Sequence, residues 1–482
     1  MTEADNKRKL YARDQAGTHV LVLGLGETGR SVLRWLRAIG HVFVRAADSR
    51  DVPPMLDELK AQHPDVEFHC GVFRNDLLDD SLKNNIDLIV ASPGISLREP
   101  LLIEAARRGI PVIGDIELFA WHLEEERLHL AHGEKEPLLI AITGANGKTT
   151  VTSMVGTMCR AAGLDTVVAG NIAPAVLDAV MDRNGKKTDA WVLELSSFQL
   201  ETTFSLEPDA ATVLNISEDH LDRYDDMDDY VAAKVRIFRS RGSHACAQVL
   251  NRDDAVSHDM AQSGRVIVTF GLTLPPAEND WGILRDGTDI TLMQGSQRVL
   301  NANELRVPGL HNIANALAAL ALCRAVNLPL EPLLNALREF ESLPHRVERV
   351  AEINGVTWYD DSKGTNVGAT VAALTSFGQR NILIAGGDGK GQDFAPLAPA
   401  VAKHARAVVL IGRDADMIAD ALKETRVPLK RASDMEDAVK QAAQFAHPGD
   451  IVLLSPACAS FDMFRNYAHR AEVFVNAVRS LH

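Results

Sequence analysis

The sequence predicts an α/β fold in three domains, and three observations carry that expectation. First, the chain has 482 residues; at roughly 150 residues per domain that is about three units, each able to bury its own core. Second, short apolar runs alternate with helix-length amphipathic stretches from end to end: His19–Gly24, Leu88–Ala91, Leu138–Ile142, Trp191–Leu195, Ala211–Leu214, Asn381–Ala385, Ala407–Ile411 and Ile451–Leu454. Short β-rich runs separated by helices are what parallel sheets covered on both faces require. Third, two stretches interrupt the alternation. Leu123–Pro137 (LEEERLHLAHGEKEP) is charged and ends in proline just before a new strand, and Glu341–His345 (ESLPH) follows the helical run Pro332–Phe340. The expected domains are therefore 1–114, 115–342 and 343–482.

Composition excludes several classes. With 46% hydrophobic and 24% charged residues, neither a disordered chain nor a coiled-coil rod fits. Fifty basic against sixty-five acidic residues give a net charge of −15, so the bulk surface repels nucleic acid and anionic lipid, and phosphates must be held in local pockets. The opening MTEADNKRKLYARDQAGTHV lacks an apolar signal core, and the apolar run Ala316–Cys323 is far short of the ~18 residues of a membrane span. Five scattered cysteines without CxxC spacing point to reduced thiols and a cytoplasmic protein.

In the first domain, Gly24-Leu-Gly-Glu-Thr-Gly29 follows the strand THVLVLG and opens the helix Arg30–Ile39. Such a turn lets backbone approach a phosphate at a helix N-terminus, and Asp48 ends the next strand where a dinucleotide fold holds a ribose. The turn fits a nicotinamide site, another nucleotide diphosphate, or a purely structural bend. The central domain opens on Ile140-Ala-Ile-Thr-Gly-Ala-Asn-Gly-Lys-Thr-Thr150, a strand, glycine loop and helix. Lys148 there would reach the β- and γ-phosphates of ATP, and Thr149 would offer its hydroxyl to Mg²⁺. The strict GxxxxGK[ST] pattern would place glycine at Ile142, so this is a variant loop. Glu194 ends the strand AWVLELSSF and His220 lies just past the strand AATVLN, positions where a doubly wound sheet presents ligands to a hard cation. Lys234, in DDYVAAKVRIFRS, reads as a solvated helical lysine. Leu272–Val307 is polar and glycine-dotted and predicts short antiparallel strands.

In the third domain His345-Arg346, Asp361-Ser-Lys363-Gly-Thr365-Asn366, Gly386-Gly-Asp-Gly-Lys390 and Ser455-Pro-Ala-Cys-Ala-Ser460 all lie at strand C-termini or at the seam. They are expected to converge on one sheet edge.

Taken in order, TGANGKTT, LELSSFQLE, NISEDHLDRY, GLHNIANALAA, LPHRVE, DDSKGTNVGAT, GGDGK and LSPACASFDMF resemble the Mur ligases of peptidoglycan synthesis. The resemblance runs from about His19 onward; the first ~17 residues and Leu123–Pro137 look like additions that the family does not require. It implies a Rossmann-like first domain, a P-loop ATPase-type central domain and a Rossmann-like third domain. It further implies a cytoplasmic, monomeric ligase that adds D-glutamate to UDP-N-acetylmuramoyl-L-alanine using ATP and Mg²⁺, through an acyl phosphate. A related ligase taking another amino acid, L-glutamate included, is the alternative, with an NAD-dependent oxidoreductase more distant. The first motif is then reassigned to UDP: Gly26, Thr28, Asp48, Ser49, Arg50, Ser92 and Gly94, together with Asn171, Ser196 and His220, would hold the UDP-substrate. ATP would meet Gly144, Asn146, Gly147, Lys148, Thr149, Thr150, Asn315, Arg346 and Asp361, with Asn315 facing adenine and Asp361 the ribose. Two Mg²⁺ ions would be held by Thr149, Glu194, His220 and Lys234, the last as a carbamate. Glutamate would meet Lys363, Thr365, Lys390, Ser460, Phe461 and Tyr467, this tyrosine standing where the family pattern has phenylalanine. Lys148, His220, Lys234, Arg346 and Lys363 are the expected catalytic set.

Overall fold

The computed structural model describes residues 17–79, 86–131, 134–219, 223–239, 246–307 and 309–481. Three α/β lobes follow one another, each on its own sheet. In the first, strands Glu67–Cys70, Val42–Asp48, Thr18–Leu23, Leu88–Ala91 and Val112–Ile113 lie side by side in that order, all parallel. The chain moves outward from Thr18–Leu23 in one direction and returns on its other side, so the sheet order reverses between Gly24 and Ser92. Reversal of strand order opens a crevice at the strand C-termini.

The central sheet has nine strands. From one edge they run Thr166–Gly170, Ala190–Glu194, Leu138–Thr143, Ala210–Val213, Ala247–Asn251, Ile267–Phe270, Trp281–Asp286, Asp289–Gln294 and Gln297–Asn301. The last three pair antiparallel, as expected for Leu272–Val307. Their two-residue loops begin at Gly287 and Gly295, both at positive φ, which matches the twist of tight hairpins. Here the order reverses between Leu138–Thr143 and Ala210–Val213, which puts the nucleotide loop at the crevice. The third sheet orders Glu348–Ile353, Val356–Asp360, Ile451–Leu454, Asn381–Gly386, Ala405–Ile411 and Leu429–Arg431, with only the first pair antiparallel.

One stretch differs from expectation. Leu123–Leu128, expected to begin a seam, instead completes the helix Asp115–Leu128. Every residue from Asp115 to Trp121 is buried, so the first two turns of this helix have no polar face to give them an amphipathic period. Glu117 bolts it to the central lobe: its carboxylate accepts from Phe204 N at 2.6 Å, Ser205 N at 2.9 Å, Ser205 Oγ at 2.7 Å and Trp121 Nε1 at 2.7 Å. No helix among the described residues is long and apolar enough to cross a membrane.

Candidate active site

The crevice of the first lobe opens into a cavity of about 560 Å³. Gly26, Thr28, Asp48, Ser49, Arg50, Ser92, Gly94 and Asn171 all line it. The glycines of the turn divide the work. A Cβ on Gly24 would lie 2.8 Å from Ser92 Cβ and one on Gly29 would lie 1.8 Å from Gly24 O, so these two let strand and helix pack. Gly26 faces open space, the position a ligand can approach. Asp48 is buried, and both its oxygens are used: Oδ2 accepts from Leu25 N and Arg50 Nη2 at 2.7 Å each, and Oδ1 from Arg50 N and Nε. These bonds hold its carboxyl below the usual range against the upward push of burial. Asp48 therefore shapes the turn and aims Arg50. Ser196 is also occupied locally, capping a short helix in a reciprocal pair with Gln199.

Beyond this cavity lies the nucleotide loop. Gly147, at φ +83°, caps the helix Lys148–Ala161, and a Cβ there would lie 2.6 Å from Asn315 Oδ1. Asn146 is held by Asn215, which accepts from its N–H at 2.8 Å and donates to its carbonyl at 3.0 Å. Lys148 and Lys234 both donate to the carbonyl of Gly144, each at 2.9 Å. Lys234 is buried, with its Nζ 4.7 Å over the Tyr230 ring. Burial pushes its ammonium well below the usual lysine range, and Lys148 pushes the same way. Burial lowers Lys148 too, against the pull of Glu194 and Asp219. Two like charges on one carbonyl repel in a low dielectric, and of the two lysines burial presses Lys234 further toward its neutral form.

Glu194 stands at the strand end in register with Ile142 and Gly170. Its Oε1 accepts from Asn171 Nδ2 at 2.7 Å, whereas the buried Oε2 has no partner among the described residues. A carboxylate oxygen in that state, beside a loop that a triphosphate would fill, fits a hard cation. His220 lies outside the described residues.

The third lobe reaches into this arrangement. Arg346 Nη2 donates to Thr149 Oγ1 at 2.7 Å, Asn366 Nδ2 to Asn146 Oδ1 at 3.0 Å, and Lys390 Nζ stands 3.6 Å from Asp219 Oδ1. Arg346 sits between His345 at φ +62° and Val347 at φ +51°, a conformation that a β-branched residue adopts only under constraint. The constraint is visible: His345 Nδ1 meets Asp360 Oδ2 at 2.7 Å and its N–H donates to Glu348 Oε2 at 2.8 Å. Those three side chains could otherwise be read as a metal cluster, but these bonds already engage them with one another. Asp361, which accepts from Ser455 Oγ at 2.7 Å, is pushed up to about 7 by burial. Lys363 lies 5.1 Å over the Tyr467 ring, and burial, then Arg346, bring its ammonium down to about 8. Thr365 is half-buried on the same loop and Ser460 is buried, while Phe461 is 74% exposed.

Three family models match the chain: the Mur ligase MurD-like N-terminal domain over residues 18–114, the Mur ligase middle domain over 142–323, and the Mur ligase glutamate ligase domain over 345–458. The chain belongs to the Mur ligase family. It is 57% identical over 467 residues to the UDP-N-acetylmuramoylalanine--D-glutamate ligase of Nitrosospira multiformis, covering 96% of each chain. The protein of the same name from Nitrosomonas europaea is 55% identical over 465 residues, again 96% of each. Among solved structures, MurF from Acinetobacter baumannii matches with a TM-score of 0.61 at 17% identity over 98% of both chains. The UDP-N-acetylmuramate-alanine ligase MurC from Thermotoga maritima matches at 0.58 and 19%, over 96% of this chain and 100% of that one. At such identities these structures share the fold.

Two residues that position this Mur ligase's site, Arg223 and Arg470, escape sequence reasoning, whereas Asn366 lies in a segment that the sequence singles out. Arg223 donates to the carbonyls of Pro93 and Ile95 and to Glu201, with its guanidinium 4.5 Å over the Phe198 ring. It ties the Ser92–Gly94 turn to the central lobe. Arg470, fully buried, donates to Ser362 Oγ, Ser362 O and Cys458 O, joining the loops of Lys363 and Ser460. Asn366 bridges to Asn146. The arginines look like ordinary charged positions on or near helices. The one available signal is that both stand close to motif residues.

Proposed function

We propose that this Mur ligase joins D-glutamate to UDP-N-acetylmuramoyl-L-alanine, converting ATP to ADP and phosphate. Near-full-length identity to relatives bearing that name supports the substrate assignment. The single observation that carries the mechanism is the bond from Arg346 to Thr149, which brings a third-lobe cation to the nucleotide loop.

In the first step a carboxylate oxygen of the alanyl group bonds to the γ-phosphorus as the bond to the β,γ-bridging oxygen breaks, leaving an acyl phosphate and ADP. Phosphoryl transfer asks mainly for positioning and charge neutralisation. Lys148 turns from the Gly144 carbonyl to the phosphates, and Arg346 and Lys363 meet charge on the transferred group. Thr149, Glu194, His220 and Lys234 would hold magnesium, as two ions, and the metal supplies charge neutralisation of the triphosphate. The neutral form of the Lys234 amine, which burial favours, is the one that adds carbon dioxide, losing a proton to become a carbamate, and this would set an anion beside the metal. In the second step the glutamate amine bonds to the acyl carbon, a tetrahedral intermediate forms, phosphate leaves and the amine proton is lost. Lys363, Thr365, Lys390 and Ser460 supply donors for the two glutamate carboxylates, with Tyr467 and Phe461 beside them. Gly26, Thr28, Ser49, Arg50, Ser92, Gly94, Asn171 and Ser196 serve the UDP-substrate; Asn146, Gly147, Thr150, Asn315 and Asp361 serve ATP. One chain carries the whole set, so no second copy is needed to complete the site, and the reading is of a monomer acting in the cytoplasm.

Phosphate release measured with ATP, Mg²⁺ and UDP-N-acetylmuramoyl-L-alanine, with D- or L-glutamate in parallel, tests the reading. Release that needs the UDP-substrate and D-glutamate is expected. Preference for L-glutamate would overturn the substrate, and no glutamate-dependent release from folded protein would overturn the activity.

A further inference from the structure

Gln392 stands just past the Gly386–Lys390 motif and is buried. Both ends of its side-chain amide are used. Oε1 accepts from Val367 N at 2.9 Å, while Nε2 donates to Ala457 O at 2.7 Å and to Gly389 O at 3.0 Å. A backbone donor on one side faces backbone acceptors on the other, so a neutral amide in this one orientation satisfies all of them and a carboxylate cannot. The partners belong to separate loops of the third lobe, and each loop carries a residue proposed to hold glutamate. Thr365 stands shortly before Val367, Lys390 directly follows Gly389, and Ser460 lies shortly past Ala457.

Backbone conformation points to the same residue. Lys390 at φ +51° and Ala457 at φ +58° are both left-handed, which a residue other than glycine holds only where its surroundings fix it. Gln392 grips the carbonyl of Ala457 itself and the carbonyl of the peptide leading into Lys390. Backbone bonds tie these loops two at a time: Ala457 N donates to Gly364 O at 3.0 Å, and Asp388 and Ala459 exchange bonds of 3.0 and 2.8 Å. The Gln392 amide joins all of them at one point, at the base of the proposed glutamate pocket.

We propose that Gln392 is a positioning residue for the amino-acid substrate, its amide setting the spacing at which Thr365, Lys390 and Ser460 meet the two carboxylates of glutamate. The proposal rests on the glutamate-ligase reading above. Steady-state kinetics on full-length variants, varying each substrate in turn, test it. Gln392→Met keeps the volume of the side chain and removes its bonds to all three loops, and KM for D-glutamate should rise roughly 10- to 100-fold as the donors shift. KM for ATP and for the UDP-substrate should stay within about twofold, because their contacts are made through other loops. Val367→Pro attacks the same amide from its partner's side. Val367 is the first residue of its helix and Asn366 before it is extended, a place where proline fits and deletes only the N–H. Its selective rise should be about fivefold, the worth of one hydrogen bond, and combining it with Gln392→Met should add nothing, since that bond is already gone. An unchanged KM for D-glutamate, or equal rises for all three substrates, would overturn the proposal; if Gln392→Met does not fold, Val367→Pro decides by the same criterion. Absence of glutamate-dependent phosphate release from the unaltered protein would instead overturn the ligase reading, before any variant is compared.

Discussion

The first and central lobes share one apolar core, with Val20, Leu36 and Val44 in the same buried cluster as Leu139, Trp191 and Val213. The central and third lobes meet differently. Neither apolar cluster of the third lobe includes, among the described residues, any position before Val347, and the named contacts across this seam are polar: Arg346 to Thr149, Asn366 to Asn146, Lys390 to Asp219, and Ser376 to His311. Opening an apolar seam exposes surface at a cost of about 25 cal/mol per Å². Opening a polar one exchanges hydrogen bonds for water at a net ~1 kcal/mol each. The contrast assigns the moving part. The cavity proposed for the UDP-substrate belongs to the fixed pair of lobes, while Arg346, Lys363 and Lys390 ride on the third lobe, whose closure would exclude water from the proposed acyl phosphate.

The largest expected effects come from injuring each seam in turn. Arg346→Ala removes the charged donor proposed for the transferred phosphate, and turnover should fall about 10²- to 10³-fold, with the thermal midpoint little changed. Trp121→Ala does the reverse. Trp121 is buried in the shared core and bonded to Glu117, and emptying such a site costs about 3–5 kcal/mol of stability. Steady-state kinetics and denaturant unfolding on both variants separate the two. Equal loss of stability in both would mean that the seams are not different in kind.

A smaller effect lies in the pH profile. The charged form of Lys363 is the protonated one, and burial has brought its pKa down to about 8. Its charge is therefore present below pH 8 and lost as pH rises through that value, so turnover should fall toward tenfold per unit on the alkaline side. Lys363→Arg keeps its charge throughout and should move the alkaline limb upward. An unmoved limb would assign that limb to another group.

Legibility followed burial pattern. Leu88–Ala91 and Ile451–Leu454 have the same bounds in sequence and structure because a strand buried on both faces is apolar at every position. The end of the helix Asp115–Leu128 was not legible, since burial all round its first two turns erased the period that marks a helix. Lys148 was legible because its loop has few residue choices. Lys234 was legible only through the family resemblance, because a helical lysine looks solvated until Tyr230 and the Gly144 carbonyl are placed around it. Arg223 and Arg470 were not legible: their partners are mainly backbone carbonyls distant in sequence, and no pattern of side chains announces a carbonyl.

The smallest test asks how much one polar contact contributes to closure. Ser376 Oγ meets His311 Nδ1 at 2.7 Å across the seam. Burial pushes that imidazole down to about 4, so it stays neutral across the working range. Ser376→Ala deletes one neutral hydrogen bond, worth about 1 kcal/mol, which is roughly a fivefold shift in an open–closed balance. Turnover should fall by no more than that factor, with binding of the UDP-substrate unchanged because its cavity lies at the other seam. The linkage has a definite sign. Below the ordinary histidine value of 6.5 the unfolded or opened form takes up a proton that the closed form refuses until about pH 4, so closure weakens as pH falls through that window. Small-angle scattering from pH 7 to 4.5 should show the third lobe parting at the acid end. A His311→Asn variant that opens over the same range as the wild type would place the acid-sensitive group elsewhere in the seam.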